Sequence, residues 1–106
     1  MNKIFSMVGL ATRAGKTVSG EFSVEKAVKA NKAKLVIVSK DASDNTKKLF
    51  LNKCEYYKIP VYMCGTKDEL GRATGNKQRA SIAIIDQGFS TSIINMLNSS
   101  EVNGGN

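Results

Sequence analysis

The run Leu35-Val36-Ile37-Val38 constrains the fold more than any other stretch of this chain. Its apolar residues do not alternate with polar ones, so a strand built from them must be covered on both faces. A strand covered on both faces needs a layer above and a layer below. The flanking sequence supplies those layers as helices. Ile4, Phe5, Val8 and Ala11 share one face of a helix over 2–13, which Gly15 ends. A brief strand follows at Lys16–Ser19. Gly20 then opens a helix over 21–31 that turns Val24, Ala27 and Val28 inward and Glu25, Lys29 and Lys32 outward.

After the central run, the cluster Asp41-Ala42-Ser43-Asp44-Asn45 starts a helix over 45–57, with Asp41 and Asp44 as its expected caps. Leu49, Phe50, Cys54 and Tyr57 form its inner face. Ile59–Cys64 reads as a strand with the sole proline, Pro60, near its start, where a missing N–H is tolerated. Lys67–Thr74 is a short helix, 75–79 a polar loop, Ser81–Asp86 a strand, and 89–98 a last helix burying Phe89, Ile93, Ile94 and Leu97. This alternation predicts an α/β fold, a three-layer α/β/α sandwich on a largely parallel or mixed sheet of about four strands. Residues 1–98 are expected to form a single domain, and 99–106 a flexible C-terminal tail.

Composition then narrows the function. The 106 residues carry 16 Lys and Arg against 9 Asp and Glu, a net charge of +7 that favours polyanionic partners. No apolar stretch approaches the ~20 residues of a membrane span, and no leader is read at the N-terminus, so a cytoplasmic protein is expected. Cys54 and Cys64 are expected to be free thiols. With 2 cysteines and no histidine the chain cannot complete a zinc site or a histidine-based triad. The stretch Gly9 to Thr17 imitates a phosphate-binding loop but has five residues where that loop has four before Gly-Lys-Thr, and it continues a helix instead of following a strand. No enzyme, metal or cofactor is therefore expected.

The basic residues sort into one candidate surface. Gly20 lies between a strand and a helix start, where free N–H groups can face an anion. Lys16 and Lys26 are expected to flank it, and the loop 75–79 adds Lys77 and Arg79. Phe22, in the first helical turn, has two placements open to it: packed into the core, or exposed as a stacking platform.

The residues Gly-Leu-Ala-Thr-Arg-Ala-Gly-Lys at 9–16, Gly20 with Lys26-Ala27-Val28, Ala33 to Val38, Asp41, Cys54, Ile59-Pro60-Val61 and Leu70 to Gly75 carry a resemblance. Over residues 3–98 the chain resembles the kink-turn RNA-binding ribosomal proteins of the L-seven-Ae and L-thirty-e type, and above all their small bacterial members. The resemblance implies an α/β/α sandwich with a mixed sheet. It implies as partner a structured RNA, a kink-turn or ribosomal RNA, and with it the ribosome. One small domain with no apolar stripe to spare favours a monomer. The family's signature Gly-x-Asn-x-x-x-Lys falls on Gly20-Glu21-Phe22-Ser23-Val24-Glu25-Lys26, with Phe22 where the asparagine stands and Ser19 where lysine is frequent. Losing a bidentate base contact there removes about 1–3 kcal/mol of discrimination. The family's second contact loop corresponds to 75–81, including Lys77, Arg79 and Ala80. The implied interface is thus the backbone around Gly20 and Glu21, a stacking Phe22, Lys26 in the groove, and Lys16, Lys77 and Arg79 on phosphates. A protein-interaction module on the same fold is the competing expectation.

Overall fold

The structure, a computed structural model, describes residues 3–104. Its elements are α1 (Lys3–Arg13), β1 (Thr17–Ser19), α2 (Glu21–Lys29), β2 (Leu35–Val38), α3 (Asp44–Tyr57), β3 (Val61–Met63), α4 (Lys67–Ala73), β4 (Ser81–Ile84) and α5 (Gln87–Gly104). The strands form one sheet in the order β1-β4-β2-β3. β4 runs antiparallel to both β1 and β2, and β2 runs parallel to β3. The sheet is therefore mixed, and the central strands β4 and β2 are buried along their whole length.

Alternation along β2 divides the core in two, because successive side chains of a strand point to opposite faces. Leu35 and Ile37 join Ile4, Phe5 and Val8 of α1, Leu70 of α4, Ile82 and Ile84 of β4, and Ile93 and Leu97 of α5. Val36 and Val38 join Val24 and Val28 of α2, Phe50 and Cys54 of α3, and Ala83. The sandwich has α1, α4 and α5 on one face and α2 and α3 on the other.

Several boundaries differ from expectation. α2 ends at Lys29, two residues early, and β3 covers only Val61–Met63, so Pro60 precedes the strand. Ser43, and neither aspartate, is the N-cap of α3: its Oγ accepts from the Thr46 N–H at 3.1 Å. Asp44 falls in the first turn, and Asp41 instead accepts from the Lys67 N–H at 2.9 Å, at the start of α4. Burial opposes ionisation of Asp41, but hydrogen bonds led by the Lys67 amide, with the Lys67 charge, outweigh it and lower its pKa. β4 stops at Ile84 because the Asp86 carboxylate accepts from the Phe89 N–H at 2.9 Å and so starts α5 early. α5 then continues to Gly104, since 99–103 contain no proline or glycine to interrupt it. Residue 2 of the first expected helix and residues 105–106 of the expected tail lie outside the described residues.

The strand directions decide where a ligand can sit. β1, β2 and β3 run one way, so their carboxyl ends share one end of the sheet with the start of β4. The N-termini of α2, α3 and α4 open there, as does the loop 75–80. In open α/β sheets this is the end where ligands bind.

Candidate nucleic-acid interface

Gly20 joins β1 to α2 with φ 93° and ψ 150°, a region essentially reserved for glycine. Its N–H donates to the Ser81 carbonyl at 3.0 Å, and its own carbonyl accepts from Val24 at 2.9 Å. No side chain caps α2 at this residue, so the first-turn amides remain available to an acceptor from outside. Gly20→Ala is expected to cost about 1–3 kcal/mol through backbone strain alone, because an added Cβ meets only the Arg79 Nε, at 4.0 Å. A urea titration that found the variant as stable as the parent would contradict this.

Phe22 is 80% exposed, which resolves its two placements in favour of the surface. It lines a shallow groove with Glu25, Lys26, Lys29 and Ala30. Phe22 and Lys26 stand one turn apart on the same helix face, and the Lys26 side chain leans back toward the helix start. The carboxylates nearby are already engaged. Glu21 accepts from the Thr46 hydroxyl at 3.2 Å, which ties α2 to the start of α3. Glu25 pairs with Lys29 at 3.5 Å and Lys53 at 3.9 Å.

The loop 75–80 is held against the end of β1 by a polar cluster. Arg79 donates from Nε to the Ser19 hydroxyl at 3.1 Å, from Nη2 to the Asn76 Oδ1 at 3.1 Å and from Nη1 to the Gln78 carbonyl at 2.8 Å. Asn76 Nδ2 donates to Ser19 at 3.3 Å and to the Thr74 hydroxyl and carbonyl at 3.1 and 3.2 Å. On its other side the loop rests on α4. The Arg79 N–H reaches the Lys67 carbonyl at 3.0 Å, and the Asn76 N–H reaches the Gly71 carbonyl at 2.7 Å. Lys77 is exposed on the outer rim. Ala80 is half-buried, and its carbonyl is occupied by the Ser39 N–H at 2.9 Å.

The structure therefore gathers Gly20, Glu21, Phe22, Lys26, Lys77, Arg79 and Ala80 at one end of the sheet. It does not bring Lys16 there. Lys16 precedes β1, while Gly20 follows it, and four residues of extended chain span roughly 13 Å. Ser19 and Asn76 were missed as site residues. Ser19 stands where a lysine was expected, and its hydroxyl is the shared acceptor that fixes Arg79 and Asn76.

Both cysteines are free, and burial pushes the Cys54 thiol up to about 11 and raises Cys64 as well. Among the described residues no group of three or more metal-ligating side chains occurs, and no helix is long and apolar enough to cross a membrane.

Known proteins resemble this chain in sequence and in shape. The chain is 44% identical over 93 residues, covering 88% of it and 93% of the relative, to a Bacillus subtilis protein named RNA-binding protein YlxQ. It is 31% identical over 87 residues, covering 81% of it and 72% of the relative, to the large ribosomal subunit protein eL8 of Thermoplasma volcanium. A solved Bacillus halodurans structure, described as a protein with unknown function, superposes with a TM-score of 0.89 at 42% identity, covering 92% of this chain and 99% of that one. A sequence model of one family matches residues 2–94, nearly the whole described fold. The chain belongs to the ribosomal protein L7Ae/L30e/S12e/Gadd45 family.

Proposed function

We propose that this chain is a cytoplasmic RNA-binding protein of ribosomal type, acting as a monomer on a kink-turn or related structured RNA in ribosome assembly or translation. The reading rests on one observation: Ser19, Asn76 and Arg79 lock the basic loop onto the end of β1, just before α2 begins, so that backbone amides, an exposed aromatic ring and three cations share one end of the sheet. The α2 amides and Lys26 meet the purine edges and phosphates beside the bend. Lys77 and Arg79 meet phosphates across it. Phe22 stacks on a base where an asparagine side chain would hydrogen-bond one. The chain is not an enzyme; its relatives are named as RNA-binding and ribosomal proteins.

The exposed Phe22 also suits a protein partner. Its groove, however, contains Lys26, Lys29 and Glu25 and only Ala30 as an apolar neighbour. A ring among cations fits a nucleobase and its phosphate better than an apolar hot spot.

The test is a titration at two salt concentrations against a kink-turn RNA with tandem G·A pairs and against the same helix with those pairs made Watson–Crick. A preference of about tenfold or more, equal to ~1.4 kcal/mol, that persists at the higher salt is the expected result. Equal and steeply salt-dependent affinities would remove kink-turn recognition and leave only phosphate docking. No binding to either RNA would favour the protein-interaction module.

A further inference from the structure

The opposite end of the sheet is the more uniformly positive one. We propose that it is a second RNA-docking face, on which Arg13, Lys16, Lys32 and Lys34 hold the phosphates of a separate double-helical segment. This rests on the reading of the chain as an RNA-binding protein but uses none of the residues of the first interface.

Three helices end there in the same way. α1, α2 and α3 each close on a left-handed residue, Gly15 (φ 73°), Asn31 (φ 59°) and Lys58 (φ 58°). In each case the next N–H reaches back five residues: Lys16 to Ala11 at 2.8 Å, Lys32 to Ala27 at 2.9 Å, and Ile59 to Cys54 at 2.8 Å. These closures turn the chain sharply and set Lys16 and Lys32 directly beyond helix ends. The sheet register places two more constraints. Thr17 and Leu35 both lie opposite Ile84. The Lys34 N–H donates to the Ile84 carbonyl at 2.7 Å, and the Ile85 N–H donates to the Lys16 carbonyl at 2.9 Å. Lys16 and Lys34 therefore flank the end of β4, two strand spacings or about 10 Å apart.

All four cations are exposed, and among the described residues none forms an ion pair. The carboxylates lie mostly elsewhere. Glu21, Asp41, Asp44, Asp68 and Glu69 cluster where α2, α3 and α4 begin, which is where helix dipoles favour negative charge. The far end has Glu55 and Asp86, and Asp86 is committed to capping α5. A helix dipole accounts for Arg13, in the last turn of α1. It also reaches Lys16 and Lys32, set directly beyond helix ends, but it does not account for Lys34, whose N–H pairs with the end of β4. Unpaired cations held on a rigid edge suit a regular phosphate array, and their contribution is independent of sequence and sensitive to salt. With the first interface on the other end, the protein would join two RNA segments.

The experiment uses the full chain, a fluorescent uniform RNA duplex and the kink-turn RNA. Two variants are compared with the parent: Lys16→Glu with Lys34→Glu, and Lys16→Gln with Lys34→Gln. Duplex affinity is expected to fall about tenfold or more on charge reversal and less on neutralisation, and the log–log salt slope to flatten by about 0.9 per lysine removed. The preference for the kink-turn over its Watson–Crick version should stay unchanged, and the parent saturated with kink-turn RNA should still take up duplex. Duplex binding that is absent in the parent, that is unchanged in both variants, or that is lost when kink-turn RNA saturates the protein would overturn the second face. Lysine-dependent duplex binding without kink-turn preference would support it while removing the kink-turn assignment of the first.

Discussion

Gly71→Ala is expected to destabilise the protein by about 1–3 kcal/mol through overpacking, and to weaken RNA binding with it. Helix propensity alone predicts the opposite sign. Gly71 lies inside α4, where alanine is ordinarily better by up to ~1 kcal/mol. The close approach of the loop reverses that. A Cβ on Gly71 would lie 2.5 Å from the Lys77 carbonyl oxygen, 2.6 Å from its carbon and 2.7 Å from the Gln78 Cα. These are backbone atoms, so no side-chain rotation relieves the clash, and the loop carrying Lys77 and Arg79 must move. Gly9→Ala is the control, since a Cβ there meets only the Ala73 carbonyl at an ordinary 3.7 Å. Urea unfolding and RNA titration of both variants give the comparison. A Gly71→Ala protein as stable as the parent would show that the loop yields freely and that α4 does not position it.

Phe22→Ala is expected to reduce RNA affinity by about 1–3 kcal/mol, or roughly 5- to 150-fold, if the ring stacks on a base. The same substitution should change stability by no more than about 0.5 kcal/mol, because the ring is 80% exposed and leaves no cavity. This split between binding and stability separates a contact residue from a packing residue. Phe22→Tyr should retain most of the affinity, since stacking needs only a ring. An affinity that is unchanged in Phe22→Ala, or lost equally in Phe22→Tyr, would remove the stacking role.

The sequence was most informative where burial imposes a period. Leu35 to Val38 announced a strand covered on both sides, and Ile4, Phe5, Val8 and Ala11 announced the helix that covers one of them. Local patterns were less informative about ends. Ser43 and Asp44 are adjacent acceptors of similar capping strength, and only the chain path decides which one caps α3. The binding surface was legible in part. Gly20 and Lys26 stand out because a glycine before a helix has few other uses. Phe22 was ambiguous because an aromatic residue in a first helical turn suits the core as well as the surface. Lys16 was misplaced although the strand read at 16–19 already implied roughly 13 Å between Lys16 and Gly20; closeness in sequence is not closeness in space. The contacts of Ser19 with Asn76 and Arg79 were hidden altogether, since they join residues 57 and 60 positions apart.

The position of β4 bears on how the protein matures. β1 and β2 do not touch as neighbours; β4 lies between them, although it is the last of the four along the chain. A chain emerging from N- to C-terminus can form its early helices, but the two halves of its sheet stay unjoined until residues 81–84 arrive. The same insertion brings the Ser81 carbonyl to Gly20 and Arg79 to Ser19. Long-range pairing of this kind is slow relative to local helix formation. A nascent chain therefore carries no finished interface until residues 81–84 have joined the sheet, and competence to engage RNA arrives with that pairing.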